Sequence, residues 1–347
     1  MNLSAFDLKG KVALITGGAH GIGFSIAVGM AQCGATVCFN CSNEGSLEKG
    51  IAAYKEAGVE AHGYVADVTD EAAVNAMVAT TQYADSVRTA LRAGADAIVC
   101  GAGLPRDLPA LAEEVPESDA ALAPIVSSGR AAGLICKLWD RHYGRIPDFV
   151  VLEGPEAGGH LGFSRQELDQ PPALSALLRD VLAALSPFRD KAGRDIPVFV
   201  AGGVKNGADM ARYMKLGAAG AQFATRFIAT VECDASDGYK QRLLNASPGD
   251  ITLVKSPVGM PGRALRSPLI RRVEDGTQPP PDRCMKCITT CDGKNAPYCI
   301  SRALIAARNG DWENGLFFCG ANAGEINTLS TVQQQMAQIM DEWRNAQ

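Results

Sequence analysis

The residues best suited to chemistry lie in the glycine-rich stretch 151–162, Val-Leu-Glu-Gly-Pro-Glu-Ala-Gly-Gly-His-Leu-Gly. An apolar run over 149–152 predicts a buried strand that leads into this stretch. Active sites of parallel α/β proteins form just beyond the carboxyl ends of the strands, where the imidazole of His160 can take or give a proton near neutral pH. Gly158 and Gly159 let the backbone approach a ligand closely. The stretch therefore predicts a catalytic His160, with the two glycines beside a bound cofactor.

A second candidate site follows two later predicted strands, at 198–202 and 220–225. TIM barrels commonly hold a phosphate at this place, on backbone N–H groups that follow the seventh and eighth strands. The residues that would form this phosphate site are Gly202, Gly203, Ala224 and Thr225. The alternative interpretation is that the glycines only make tight turns between strand and helix.

The elements that must position these residues repeat along the chain. Apolar runs predict strands at 97–101, 122–127, 149–153, 198–202 and 220–225. Most of them are separated by helical patterns, which is the βα rhythm of a parallel barrel. The first 70 residues add a βαβαβ pattern with three more strands. Three and five strands together predict an α/β fold of the (β/α)8 TIM-barrel type.

The N-terminal pattern has its own signature. Strand 11–15 leads into 16–23, Thr-Gly-Gly-Ala-His-Gly-Ile-Gly, where glycines turn a strand into a helix whose N-terminus can hold a phosphate. With 66–69, Ala-Asp-Val-Thr, this segment resembles the Rossmann-like N-terminus of short-chain dehydrogenases/reductases over about residues 5–74. The resemblance implies NAD(P) binding. That family's catalytic Tyr-x-x-x-Lys is missing, so we expect no dehydrogenase chemistry from this segment.

The remainder, about 75–347, resembles the nitronate monooxygenase (2-nitropropane dioxygenase) family. The resemblance rests on the His160 loop and on four further motifs, at 75–79, 100–105, 201–204 and 222–227. It implies an FMN-binding TIM barrel in which His160 removes the proton α to a nitro group and molecular oxygen reoxidises the flavin. If residues 74–79 form a strand of the barrel, the resemblance also implies that Asn75 hydrogen-bonds the flavin ring; if they form a helix, Asn75 is a solvated side chain. The resemblance further implies that Gln222, in the last motif, lies at the cofactor site.

Three alternatives to this function remain. The same family includes flavin-dependent enoyl reductases, which use NAD(P)H as a second cofactor. The chain also looks like a recombinant of two families, so a non-catalytic hybrid or an NAD(P)-binding, short-chain-dehydrogenase-like protein is a further interpretation. We divide the chain into a dehydrogenase-like segment (1–74), barrel units with the FMN site (75–232) and a C-terminal part of loop, Cys-rich stretch and helices (233–347).

Composition narrows the class of protein. The 347 residues carry a net charge of −5, which gives no electrostatic basis for binding nucleic acid or an anionic membrane. No apolar run is long enough to span a bilayer, so we expect a cytoplasmic enzyme whose partners are a small-molecule substrate and molecular oxygen. The cysteines at 284, 287, 291 and 299 invite a metal interpretation. No second Cys-x-x-Cys follows, and we predict no metal.

Overall fold

The computed structural model describes residues 12–15, 18–41, 44–65, 83–101, 103–282 and 291–347. The strands are β1 Val12–Ile15, β2 Thr36–Cys41, β3 Ala61–Val65, β4 Ala97–Cys100, β5 Ala121–Val126, β6 Val150–Glu153, β7 Gly159–His160, β8 Val198–Ala201, β9 Gly220–Ala221, β10 Ile251–Lys255 and β11 Pro261–Leu265. The α-helices are α1 Gly21–Gln32, α2 Glu44–Glu56, α3 Tyr83–Arg92, α4 Leu108–Glu113, α5 Gly129–Tyr143, α6 Arg165–Asp169, α7 Leu174–Ala192, α8 Gly207–Lys215, α9 Thr225–Ile228, α10 Asp237–Leu244, α11 Pro268–Glu274, α12 Ile300–Arg308 and α13 Val332–Asn345.

Two parallel sheets carry the βα repeat. One has the order β1-β2-β3 and the other β4-β5-β6-β8-β9. The three and five strands fall where the sequence predicts them, although β9 ends at Ala221, before the predicted end at 225. Across the described ranges no ladder joins the two sheets, and residues 66–82, between β3 and β4, lie outside those ranges.

The order of the first three strands explains how a dehydrogenase-like segment can begin this fold. Dinucleotide-binding sheets and TIM barrels both place strands 1, 2 and 3 side by side, in parallel, with helices between them. A βαβαβ segment therefore satisfies either architecture locally. Its own small core centres on Phe39 and Tyr54, whose rings lie 4.8 Å apart, and the Tyr54 hydroxyl donates to the Gly18 carbonyl.

The main core lies between the larger sheet and its helices. Val150 and Leu152 of β6 pack with Trp139 of α5 and Leu178 of α7, and all four side chains are fully buried. Successive side chains of a strand point to opposite faces. The alternate residues of β6, Val151 and Glu153, therefore face away from these helices.

Residues 255–263 are more regular than their sequence predicts. Their proline and glycine content predicts a loop, but the segment belongs to an antiparallel hairpin, β10–β11, in which only 256–260 form the turn. Pro261 is tolerated because it is the first residue of its strand. The hairpin edge then pairs with β7, so that Gly262 lies opposite His160.

The amphipathic pattern over 329–343 predicts a C-terminal helix, and the structure forms α13 there. The Thr331 side chain accepts a hydrogen bond from Gln334 N–H, and the Gln334 side chain accepts one from Thr331 N–H. None of the helices in the described ranges has the length and apolar character needed to cross a bilayer.

Candidate active site

His160 lies at the carboxyl-end side of the larger sheet, in the loop that follows β6. Its Nε2 is 2.7 Å from Ser256 Oγ, and its ring meets Phe318 edge-to-face at 5.1 Å. Burial lowers the pKa of the imidazole below its ordinary value. A depressed pKa keeps the ring neutral and able to accept a proton at physiological pH.

The two positions before His160 require glycine for different reasons. Gly159 has φ +76°, a conformation that side-chain-bearing residues rarely adopt. A Cβ on Gly158 would collide with the backbone of Cys319 and Gly320. The loop is therefore pressed against the segment 319–321, and Ala321 N–H donates to the Glu156 carbonyl at 2.9 Å.

Arg263 clamps the same loop from the hairpin. Its guanidinium donates to the carbonyls of Pro155 and Ala157, at 2.7 and 2.6 Å. With the β7–β11 pairing, these bonds fix the path of the chain on both sides of Gly158. The sequence offered no signal for this clamp, because Arg263 lies more than 100 residues from its partners.

The predicted phosphate site divides into two parts. Gly202, with φ +65°, packs so closely on the His160 loop that a Cβ would lie 2.7 Å from the Gly154 carbonyl and from Ala157 Cβ. Gly203, with φ +128°, has more open surroundings, and the nearest atom to its Cβ position is Leu174 Cδ2 at 3.5 Å. Gly202 therefore serves packing, and Gly203 leaves room for a ligand.

The other half of this site follows β9. Ala224 precedes the short helix α9, and Thr225 Oγ1 accepts from Gly320 N–H at 2.9 Å. Within the described ranges, the backbone N–H groups of Gly203, Ala224 and Thr225 donate to no protein acceptor. Unpaired amides at the ends of adjacent strands are suited to a phosphate.

Gln222, Asn75 and the cysteines are the other residues that the sequence singles out. Gln222 continues the β8–β9 ladder through its N–H and is exposed. Asn75 lies outside the described residues, as do Cys284 and Cys287. No group of three or more His, Cys, Asp or Glu side chains is placed to hold a metal in the part of the chain that is described.

The N-terminal glycine loop meets an acidic neighbour. A Cβ on Gly21 would collide with the Glu232 carbonyl and lie 2.8 Å from Asp234 Oδ1. The Asp234 carboxylate pairs with His20 Nδ1 at 3.0 Å. A carboxylate beside the first turn of α1 repels a phosphate there, which argues against a pyrophosphate at this helix.

A half-buried histidine thus lies in the loop after β6, and in the part of the chain that is described, unpaired amides lie beyond the adjacent parallel strands β8 and β9. The family model for nitronate monooxygenase matches residues 50–342. The chain belongs to the nitronate monooxygenase family.

Individual relatives match shorter stretches. A Mycobacterium tuberculosis protein named as a (3aS,4S,5R,7aS)-5-hydroxy-7a-methyl-1-oxo-octahydro-1H-indene-4-carboxyl-CoA dehydrogenase is 35% identical over 131 residues, 38% of this chain and 33% of the relative. A 2-dehydro-3-deoxy-D-gluconate 5-dehydrogenase from Formosa agariphila is 40% identical over 79 residues, 22% of this chain and 30% of the relative. The chain thus spans about a third of the length of these curated relatives.

Several solved structures match almost the whole chain. FabK from Thermotoga maritima has a TM-score of 0.64 and 23% identity, with coverage of 99% of this chain and 96% of FabK. This likeness confirms the predicted α/β fold of TIM-barrel type. The predicted family resemblance is confirmed as well, and its match begins earlier than the expected residue 75.

The family implies a flavin, and the described residues fit one at the phosphate end. Gly203, Ala224 and Thr225 offer unpaired amides, and the open surroundings of Gly203 leave space that a larger residue would reduce. Ala224 is exposed, so its methyl group is not packed against the protein. Asn75, which the resemblance places at the flavin ring, lies outside the described residues.

Proposed function

We propose that this protein is an FMN-dependent nitronate monooxygenase that oxidises alkyl nitronates with molecular oxygen, and that His160 is its base. The observation that carries the proposal is that a half-buried His160, whose pKa is lowered, and the amides of Gly203 and Thr225 lie at the same end of the sheet. A bound FMN would supply the redox chemistry, by taking electrons from the substrate and passing them to oxygen.

The protein's own residues perform the acid–base part. With a neutral nitroalkane, one imidazole nitrogen of His160 accepts the α-proton, and the substrate becomes the nitronate. Ser256 Oγ engages the other ring nitrogen, Nε2, and so fixes the rotation of the ring. The Phe318 ring packs edge-on against the imidazole, and burial keeps the imidazole uncharged at neutral pH.

The phosphate end serves only to anchor the cofactor. Gly203, Ala224 and Thr225 would hold its phosphate by backbone N–H groups, while the bond from Gly320 N–H to Thr225 Oγ1 ties that anchor to the segment beneath the His160 loop. Anchor and base are therefore positioned by one connected set of loops. This connection favours a reaction at a fixed distance from the cofactor.

The test is oxygen consumption by flavin-loaded protein with a preformed alkyl nitronate and no reduced nicotinamide. We expect oxygen uptake with wild type, and His160→Asn should abolish activity with the neutral nitroalkane while keeping at least part of the activity with the nitronate, which needs no deprotonation. FMN content, measured by visible absorbance, must be equal in both proteins. A loaded wild-type protein that consumes no oxygen with any nitronate would refute the proposal.

A second candidate is the NAD(P)H-dependent, flavin-dependent reduction of an enoyl thioester of the CoA type. The Mycobacterium tuberculosis relative, named as a carboxyl-CoA dehydrogenase, supports it over a third of that relative's length. The hydrogen α to a thioester is acidic for the same reason as that of a nitroalkane, so the same histidine would serve. Oxidation of NADH that depends on an enoyl thioester, without nitronate activity, would select this alternative.

A further inference from the structure

We propose that Glu153 is a second catalytic residue, whose protonated carboxyl donates a hydrogen bond to the substrate oxygen that gains negative charge. This inference rests on the proposed function, because it assigns a partner to the proton transfer by His160.

The position of Glu153 in the sheet places it at the site. It is the last residue of β6, and its register partner on β8 is Ala201. Because Val150 and Leu152 pack beneath α5 and α7, Glu153 points to the opposite face. That face, at the carboxyl ends of the strands, is where substrates bind in barrels of this type.

The loop that carries His160 passes close to the carboxyl. The backbone N–H of Gly162 favours the ionised carboxyl and so opposes the rise of its pKa, and Gly162 lies two residues after His160. A Cβ on Gly162 would collide with Ser127 Oγ, so the end of β5 adjoins the same point. Glu153 is only half-buried, which leaves part of its surface open to a bound molecule.

The electrostatics favour the acid form of this carboxyl. Burial raises the pKa of Glu153 to about 7, against the opposing effect of the Gly162 N–H. The titratable groups on its own loop and on the adjoining hairpin are Glu156, His160, Lys255 and Arg263, and none of them contributes to this shift. Ser127 follows β5, and Ala201 ends β8. Just below pH 7, a neutral His160 and a protonated Glu153 therefore coexist, as an acid–base pair requires.

The step balances without a further reactant. The C–H bond α to the nitro group breaks, and its proton goes to His160. The electron pair forms the C=N bond, and the π pair of one N=O bond moves onto oxygen. That oxygen accepts the hydrogen bond from the Glu153 carboxyl, which keeps its own proton. A preformed nitronate carries the same charge and is bound by the same donor.

The test compares wild type, Glu153→Gln and Glu153→Ala in oxygen uptake with ethylnitronate between pH 5.5 and 9, at equal FMN content. We expect kcat/KM of wild type to fall about tenfold per pH unit above the carboxyl pKa, because the ionised group repels the anion. Glu153→Gln donates at every pH, so this alkaline decline should disappear. Glu153→Ala should lose about tenfold at pH 6.5, the cost of one hydrogen bond to a charged group.

The outcomes separate the two proposals. An active wild type whose alkaline decline persists in Glu153→Gln refutes the role of Glu153 and leaves the proposed function intact. An inactive, FMN-loaded wild type refutes the proposed function, and the inference fails with it. If the glutamine variant does not fold, Glu153→Asp provides the comparison. It should keep the decline at a shifted pH, and a decline at the wild-type pH would overturn the assignment.

Discussion

Ser256 Oγ lies 2.7 Å from His160 Nε2, although the two residues are 96 positions apart in the chain. Ser256 is 5% exposed and also accepts from Val258 N–H at 3.4 Å. The turn of the β10–β11 hairpin is thus fixed around the hydroxyl that orients the candidate base. The hairpin contributes a residue to the site besides covering it.

Replacing Ser256 with alanine should weaken proton abstraction. The ring loses one hydrogen bond, worth about 0.5–1.5 kcal/mol, so kcat/KM with a neutral nitroalkane should fall by up to about tenfold. Activity with the preformed nitronate should change little, since no proton is removed. Steady-state oxygen uptake with both substrates measures this difference, and an equal loss with both would show that Ser256 has only a general structural role.

Gly158→Ala should destabilise the protein. The new methyl group collides with the backbone of Cys319 and Gly320, and overpacking of this kind costs about 1–3 kcal/mol. Thermal unfolding should therefore begin at a lower temperature. Gly133→Ala is the matched control. Gly133 lies inside helix α5, and a Cβ there would be 3.9 Å from Ala184 Cβ of helix α7. This variant should stabilise the protein by about 0.5–1 kcal/mol. Equal melting temperatures for the two variants would contradict the packing described for the loop.

Gly203→Ala should impair cofactor binding. A residue with φ +128° is strained unless it is glycine, so the amide that faces the phosphate should move. Loss of one bond to a charged phosphate costs about 1.5–3 kcal/mol, which raises the Kd for FMN by about ten- to a hundredfold. Quenching of FMN fluorescence on adding apoprotein measures this constant.

Gly217→Ala is the control for backbone strain. Gly217 has φ +105° but lies before β9, at the opposite end of that strand from Thr225. It should reduce stability without changing the Kd for FMN. If both variants bind FMN equally well, Gly203 has no part in the phosphate site.

Glu153→Gln should change the pH dependence of stability. The folded-state pKa of Glu153, about 7, is above its unfolded value near 4.5. Below the unfolded pKa the carboxyl is protonated in both states and does not lower the free energy of unfolding. That free energy falls as the pH rises through the folded pKa of about 7, by at most about 3 kcal/mol. The glutamine variant should unfold at a higher temperature than wild type at pH 8, with no such gain at pH 4.5. A difference that is constant with pH would show that the carboxyl titrates normally.

Much of the fold could be read from local patterns. The apolar runs place β4, β5, β6 and β8 to within one or two residues, because a strand buried on both faces needs a continuous apolar sequence. The glycine-rich loop after β6 singles out His160 for the same local reason. The hairpin β10–β11 was missed, since β11 contains proline and glycine, and the hairpin is stabilised by pairing of β10 with β11 and of β11 with the distant β7.

The sequence by itself determined which residue types stand at the ends of the strands, and hence His160, Gly203 and Thr225 as candidates. The tertiary structure decided what surrounds them. It brought Ser256 to His160, placed Asp234 against the N-terminal glycine loop and partly buried the carboxyl of Glu153. Contacts between residues a hundred positions apart, and the desolvation that shifts a pKa, depend on how the elements pack, and local sequence patterns do not encode either.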